Sequence, residues 1–156
     1  MSTTRTYTAA QILSTAVRIG QADLVAEMYS PNETFINYAR ARMCTAAARY
    51  KLQAIDTNSF EIEDMVRFES ECVAAKGYGF TGKAAIHPRQ VPAINAIFSI
   101  AAATIAKYRA VVDAYHRSDV GFVLVDGEVI APPFVAKAHR MLDLYDRYKK
   151  HGKEPS

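Results

Sequence analysis

Cysteine is scarce. Only Cys44 and Cys72 occur in 156 residues, far apart and without a C-x-x-C pattern. That leaves neither a disulfide framework nor a cysteine zinc knuckle to build, and packed, reduced thiols in a reducing compartment are the expectation. A dominant charge is missing too. The formal net charge of +3 is too mild for a nucleic-acid surface, and the basic residues are scattered apart from "RYKKHGK", which reads as a solvated helix terminus. The four histidines, His87, His116, His139 and His151, show no metal-ligand spacing. No apolar run reaches the ~20 residues that span a membrane, and there is no internal repeat or low-complexity tract. The opening "MSTTRTYT" is too short a sample to read as a transit peptide. What remains, 50% hydrophobic and 22% charged, is the composition of one ordinary globular chain.

The most distinctive stretch is "GYGFTGKAAIHPRQV", residues 77–91. It satisfies G-x-G-x-x-G and G-x-x-x-x-G-K at once. Both phosphate-binding signatures need a strand before them and a helix opening at the last glycine. Here the order is reversed. The preceding "EIEDMVRFESECVAAK" places Ile62, Met65, Val66 and Val73 at helical spacing, and Gly77 stands where a helix-terminating glycine belongs. Position 84 is Ala84, so the hydroxyl that such loops offer to Mg²⁺ is absent. A glycine-rich turn feeding a buried strand fits better. His87-Pro88 would then sit at the strand's C-terminal end, where parallel α/β folds gather their chemistry.

Strand and helix patterns alternate along the first two thirds. Strands are expected near 14–20, 51–57 and 79–87. "SPNE" announces a helix, with Ser30 as N-cap, Pro31 at the first helical position and Glu33 closing a capping box. Phe35, Tyr38, Met43, Ala46 and Tyr50 mark one side of that helix, and a second runs over 61–76. Such alternation argues for parallel βα units. Beyond Pro88 two helices are expected, then the hairpin "FVLVDGEVI" turning at Asp126-Gly127, then an amphipathic helix with Phe134, Ala138, Met141, Leu142, Tyr145 and Tyr148 on its apolar face. Three strands cannot close a barrel of eight. The expected fold is α/β, a partial TIM-type (β/α) barrel of about three parallel strands over residues 1–98, with a helix–hairpin–helix extension over 99–156. Strand faces "AVRI", "LQAI" and "AAI" would then meet water unless a partner covers them.

The segment 77–91 closely resembles the G-F-x-G-K-x-x-I-H-P-x-Q segment on the last barrel strand of the citrate lyase β-subunit-like enzymes of the HpcH/HpaI aldolase group. Further stretches agree in order and spacing. "GQADL" resembles the family's G-x-x-D-L/F, "YARARMCTAAARYKLQAID" its Y-A-R helix and strand seven, and "VDGEVIAPPFVAKA" its closing hairpin. Citramalyl-CoA lyase-like proteins are the most similar branch. The resemblance runs from about residue 14 to residue 145, but only along the C-terminal half of the family's fold, strands six to eight and the extension.

The resemblance implies Mg²⁺-assisted carbon–carbon cleavage beside an acyl-CoA thioester. Of the family's metal ligands, the aspartate after strand six falls on Asp23, while the strand-five glutamate and the arginine that grips the keto acid have no counterpart. The pair that contacts acyl-CoA falls on Ile86 and His87. The family's catalytic aspartate falls on Ala131, which cannot move a proton, so no catalytic residue is assigned. Plainer roles stand beside each of these. Asp23 serves equally as a helix-start carboxylate, His87 as a turn-former before Pro88, Asp56 at the end of strand seven as a turn residue, and Lys83 as a snorkelling or carboxylate-paired lysine. Two functions follow. One is a non-catalytic structural or interaction subunit of a larger assembly. The other is a Mg-dependent lyase on a 3-hydroxyacyl-CoA (citramalyl-CoA, malyl-CoA or a citryl thioester) whose missing half-site another chain supplies. The resemblance implies a homo-oligomer or a heteromeric complex, with Mg²⁺ bound weakly or lost. The implied location is intracellular, the mitochondrial matrix in a eukaryote and otherwise the cytoplasm. Neither nucleic acid nor membrane is expected as a partner.

Overall fold

A computed structural model describes residues 16–29, 32–118 and 121–150. The chain divides into two compact units between Phe98 and Ser99. Residues 14 and 15 of the first expected strand lie outside the described residues, as do Ser30 and Pro31.

In the first unit, β1 (Ala16–Arg18), β2 (Gln53–Asp56) and β3 (Gly82–Lys83) form a parallel sheet in the order β1-β2-β3. Arg18 pairs with Ile55, and Asp56 with Lys83. Helices α1 (Gln21–Ala26) and α2 (Glu33–Arg49) connect the first two strands, α3 (Met65–Tyr78) connects the next two, and α4 (Gln90–Phe98) follows. The strands are shorter than the apolar pattern suggests. Pairing in β3 ends at Lys83, so Ala84 to Pro88 form a loop beyond it, and His87 is not at a strand end.

Local chemistry sets the helix ends. Asn32, not Ser30, caps α2, its Oδ1 accepting from Phe35 N at 2.9 Å. Asp64 caps α3 by accepting from Arg67 N at 3.0 Å, so that helix begins later than expected. It also ends later. Gly77 lies inside it, and the left-handed terminator is Gly79, at φ 101°, after which Phe80 N donates to Ala75 O.

Side-chain alternation turns Ala54 and Asp56 of β2 into the helical layer. Ala54 packs there with Cys44 and Ala47 of α2, Phe68, Cys72 and Ala75 of α3, Phe80, and Ala93 and Phe98 of α4. Leu52 and Val17, each partly buried, pack against this core, so those parts of the strands are in part covered by the chain itself. The buried helix faces also differ from the sequence expectation. Helix α2 buries Ile36, Cys44 and Ala47 while Tyr38 and Tyr50 are exposed, and α3 buries Phe68, Cys72 and Ala75 while Val66 and Val73 are exposed. Small side chains decide this. Ala47, Ala54 and Ala75 let helix and sheet approach, which larger residues at those points would prevent.

In the second unit, α5 (Ala102–His116) packs against α6 (Pro132–Lys150) and the hairpin β4 (Val123–Val125)–β5 (Glu128–Ile130). The hairpin turns at Asp126-Gly127 with φ of 50° and 78°, both left-handed, as the favoured two-residue turn requires. Val111, Val112, Val125, Ile130, Val135 and Ala138 form the core, with Tyr108, Tyr115 and Leu142 around it. Phe134 is exposed, and Val135 takes its expected place inside. An 18-residue window within Gln90–His116 reaches a mean hydropathy of 1.3, which by length and composition would suffice to cross a membrane. The helix is broken at Ser99–Ala101, however, and neither piece has the ~20 residues a span needs.

Candidate functional site

Three motif residues, Arg40, Asp56 and Lys83, meet in one buried cluster. Asp56 is wholly enclosed between two cations. The Arg40 guanidinium grips its carboxylate with both prongs, Nε to Oδ1 at 3.2 Å and Nη2 to Oδ2 at 3.0 Å, and Lys83 Nζ donates to Oδ2 at 2.9 Å. Such a fork-on-carboxylate pairing fixes orientation as well as charge. Tyr78 and Phe80 lie beneath the guanidinium, with ring centres 4.8 and 5.5 Å from its carbon. Lys83 also faces Glu71 at 3.8 Å. The arginine of "YAR", the aspartate of "QAID" and the lysine of "TGK" are thus one ion cluster joining α2, β2 and β3. Asp56 holds the sheet to α2, and Lys83 is its carboxylate-paired partner.

Burial pushes both thiols beside this cluster upward. Cys44 is raised to about 11 by burial and by the negative charge of Asp56, against Arg40. Cys72 is also raised to about 11, by burial first, with Lys83 opposing and Glu71 adding. Neither is a nucleophile at neutral pH.

The last residue of the motif, Gln90, is a second buried anchor with no exposed surface. Its Nε2 donates to Ser59 O at 3.0 Å and Glu61 O at 2.9 Å, while Oε1 accepts from Ile86 N at 2.9 Å and His87 N at 3.3 Å. One amide therefore ties the loop after β2 to the loop after β3. It fixes the backbone of Ile86 and His87 directly. Ile86 is exposed at 47%, and His87 is half-buried with its Nδ1 accepting from Arg89 N at 3.2 Å.

Asp23 stands apart from both anchors. It lies exposed in the first turn of α1, where its negative charge favours the helix start, and its carboxylate folds back against Gly20 into the space a side chain there would fill. The glycine and aspartate of "GQAD" are therefore packed on one another. No group of three or more His, Cys, Asp or Glu that could hold a metal occurs among the described residues. One carboxylate does not make a magnesium site, which takes several oxygen ligands in octahedral array. Ala131 lies between β5 and α6, and its carbonyl accepts from Phe134 N and Val135 N at 2.9 and 3.4 Å, a helix-start role that needs no side chain.

An open cleft of about 1050 Å³ lies between α2 and α3, with Asp56, Arg40, Lys83 and Glu71 among its walls. Asn37 and Ser70 add neutral polar groups. Asp23, Ile86 and His87 do not line it. Arg40 and Gln90 could have been singled out from the sequence only as polar members of a motif. Their burial is a tertiary fact.

Comparison with known proteins agrees with these motifs. Residues 9–88 match the model of the HpcH/HpaI aldolase/citrate lyase family. The chain is 27% identical to citrate lyase subunit beta of Escherichia coli K12 over 132 residues, covering 81% of this chain and 44% of that protein. It is 30% identical to a (3S)-malyl-CoA thioesterase of Cereibacter sphaeroides over 137 residues, covering 82% of this chain and 47% of that one. The chain thus spans about half the length of the curated relatives it matches. Among solved structures, RipC from Yersinia pestis superposes with a TM-score of 0.55 at 36% identity, covering 58% of this chain and 43% of that one. A citrate lyase from Burkholderia xenovorans gives 0.66 at 20% identity, covering 91% and 48%, a likeness of fold alone. With more than half of its residues inside the family model, the chain belongs to the HpcH/HpaI aldolase/citrate lyase family.

Proposed function

We propose that these residues form part of a β/α barrel and serve as a non-catalytic structural or interaction subunit of a larger assembly, covered by another copy or by a different chain. One observation carries the reading. The aspartate best placed at the cleft, Asp56, is locked between Arg40 and Lys83 and is not free to bind metal or move a proton. Asp23 is in no group of three or more potential metal ligands among the described residues, and alanine occupies position 131. The need for a partner rests on surface. Among the described residues β1 and β3 each pair on one edge only, and Val66, Val73 and Tyr38 expose 80%, 60% and 58% of their surface. Covering such apolar area contributes roughly 25 cal/mol per Å² to association. An intracellular setting, cytoplasmic in a bacterium or the mitochondrial matrix in a eukaryote, goes with the two buried free thiols.

A second reading keeps the lyase, with the missing half-site supplied by another chain. The exposure of Asp23 favours it, because that carboxylate is open to a metal completed from outside. A relative of 24% identity, CitE from Mycobacterium tuberculosis, was crystallised with magnesium, acetoacetate and coenzyme A. Two measurements on the purified chain test the first reading. Sedimentation at low micromolar concentration should show an oligomer, and a folded monomer overturns the partner requirement. Citramalyl-CoA, malyl-CoA and citryl thioesters with Mg²⁺ should remain uncleaved, and clear Mg²⁺-dependent cleavage restores the enzyme.

A further inference from the structure

Among its described residues the second unit carries two histidines. His116 closes α5 and His139 lies along α6, with ring centres 5.7 Å apart and planes inclined at 37°. Both side chains are exposed. Beneath them the helix pair is fixed by Val111, Val112, Val135 and the fully buried Ala138, whose small side chain lets α5 and α6 approach next to His139.

We propose that His116 and His139 form a two-histidine site for a divalent transition-metal ion of the zinc, nickel or copper class, with water in the remaining positions. Neutral imidazole is the commonest protein ligand for these ions. Two imidazoles on one ion, at metal–nitrogen bonds of ~2.1 Å and a near-tetrahedral angle, hold their ring centres roughly 5 Å apart. The observed separation is close to that, and exposed side chains close the remainder by rotamer adjustment on a rigid helical frame. The pairing is not one of core packing, since both residues are exposed and neither belongs to the buried cluster beneath them. The spacing of 116 and 139 carries no ligand motif because the two positions come from different helices.

No third His, Cys, Asp or Glu completes a cluster among the described residues, so the ion keeps open positions and modest affinity. Nitrogen donors also select against magnesium, which takes oxygen. The site therefore differs in chemistry from any carboxylate site at Asp23. A bound ion would tie α5 to α6 and raise the melting temperature by mass action.

The test is calorimetric titration of the tag-free full chain with ZnCl₂, and in parallel with MgCl₂. Saturable one-to-one zinc binding is expected, with a rise in Tm under zinc and none under magnesium. His116→Ala or His139→Ala should weaken zinc binding by at least ~10-fold, the double variant should abolish it, and Lys137→Ala on the same helix should leave it unchanged. Far-UV circular dichroism establishes that each variant is folded. Absence of saturable zinc binding overturns the site, as does undiminished binding in the folded double variant.

Discussion

Asp56 and Lys83 are register partners on adjacent parallel strands, and their side chains meet at 2.9 Å with 0% and 2% of their surface exposed. Arg40 reaches the same carboxylate from α2. Removing the carboxylate strands two cations, which costs more than removing either cation alone. Asp56→Ala should destabilise the chain by about 3–5 kcal/mol, and Lys83→Met by less, because the Arg40 fork remains. Urea unfolding of both variants decides this; an Asp56→Ala cost below ~1 kcal/mol would mean the cluster is not a buried framework.

Gln90 offers a sharper chemical test. Gln90→Glu keeps shape and acceptor but sets an oxygen against the carbonyls of Ser59 and Glu61, where Nε2 now donates. A loss of roughly 2–4 kcal/mol is expected from the unsatisfied and repelling groups. Amide exchange at Ile86 and His87 should accelerate in Gln90→Ala, where their acceptor is gone. Unchanged protection at both amides would exclude the clamp.

The thiols define a pH window. Folding raises each from its ordinary 9.0 to about 11, so the native state holds protons that the unfolded chain releases. Their contribution is complete below about 9 and is lost as pH rises toward 11. Stability should therefore fall across that interval, and less steeply in Cys72→Ser. Labelling of the native chain with a thiol reagent at pH 8 should be slow and should become fast in denaturant.

Backbone conformation supplies a pair of opposite predictions. Lys51 holds φ 56° between α2 and β2, and Gly127 holds φ 78° in the hairpin. Lys51→Gly relieves a left-handed residue and should stabilise by up to ~1 kcal/mol, while Gly127→Ala should cost ~1–2 kcal/mol. Thermal unfolding of the two variants should shift Tm in opposite directions.

Magnesium should bind the isolated chain weakly or not at all, since Asp23 belongs to no group of three or more His, Cys, Asp or Glu that could hold a metal among the described residues. Sub-millimolar binding that disappears in Asp23→Ala would show an intact site.

Sequence alone determined most kinds of element and their order, although α1 (Gln21–Ala26) was not among the expected helices. The reversed helix–turn–strand order around Gly77–Gly82 excluded a nucleotide loop, and Asp126-Gly127 placed the hairpin turn, because each rests on a local conformational demand that few residues satisfy. Motif spacing likewise carried the family. What the sequence left open depended on distance in space. Whether Asp56 is a turn carboxylate or the hub of an ion cluster depends on Arg40 arriving from another helix and Lys83 from another strand. Which face of α3 is buried was decided by the small side chains Ala54 and Ala75, since close packing rewards fit over hydrophobicity, leaving Val66 and Val73 outside. The strand ends, the Gln90 clamp and the meeting of His116 with His139 belong to the same class. Each is a contact between residues remote in the chain, fixed by tertiary packing rather than by any local preference.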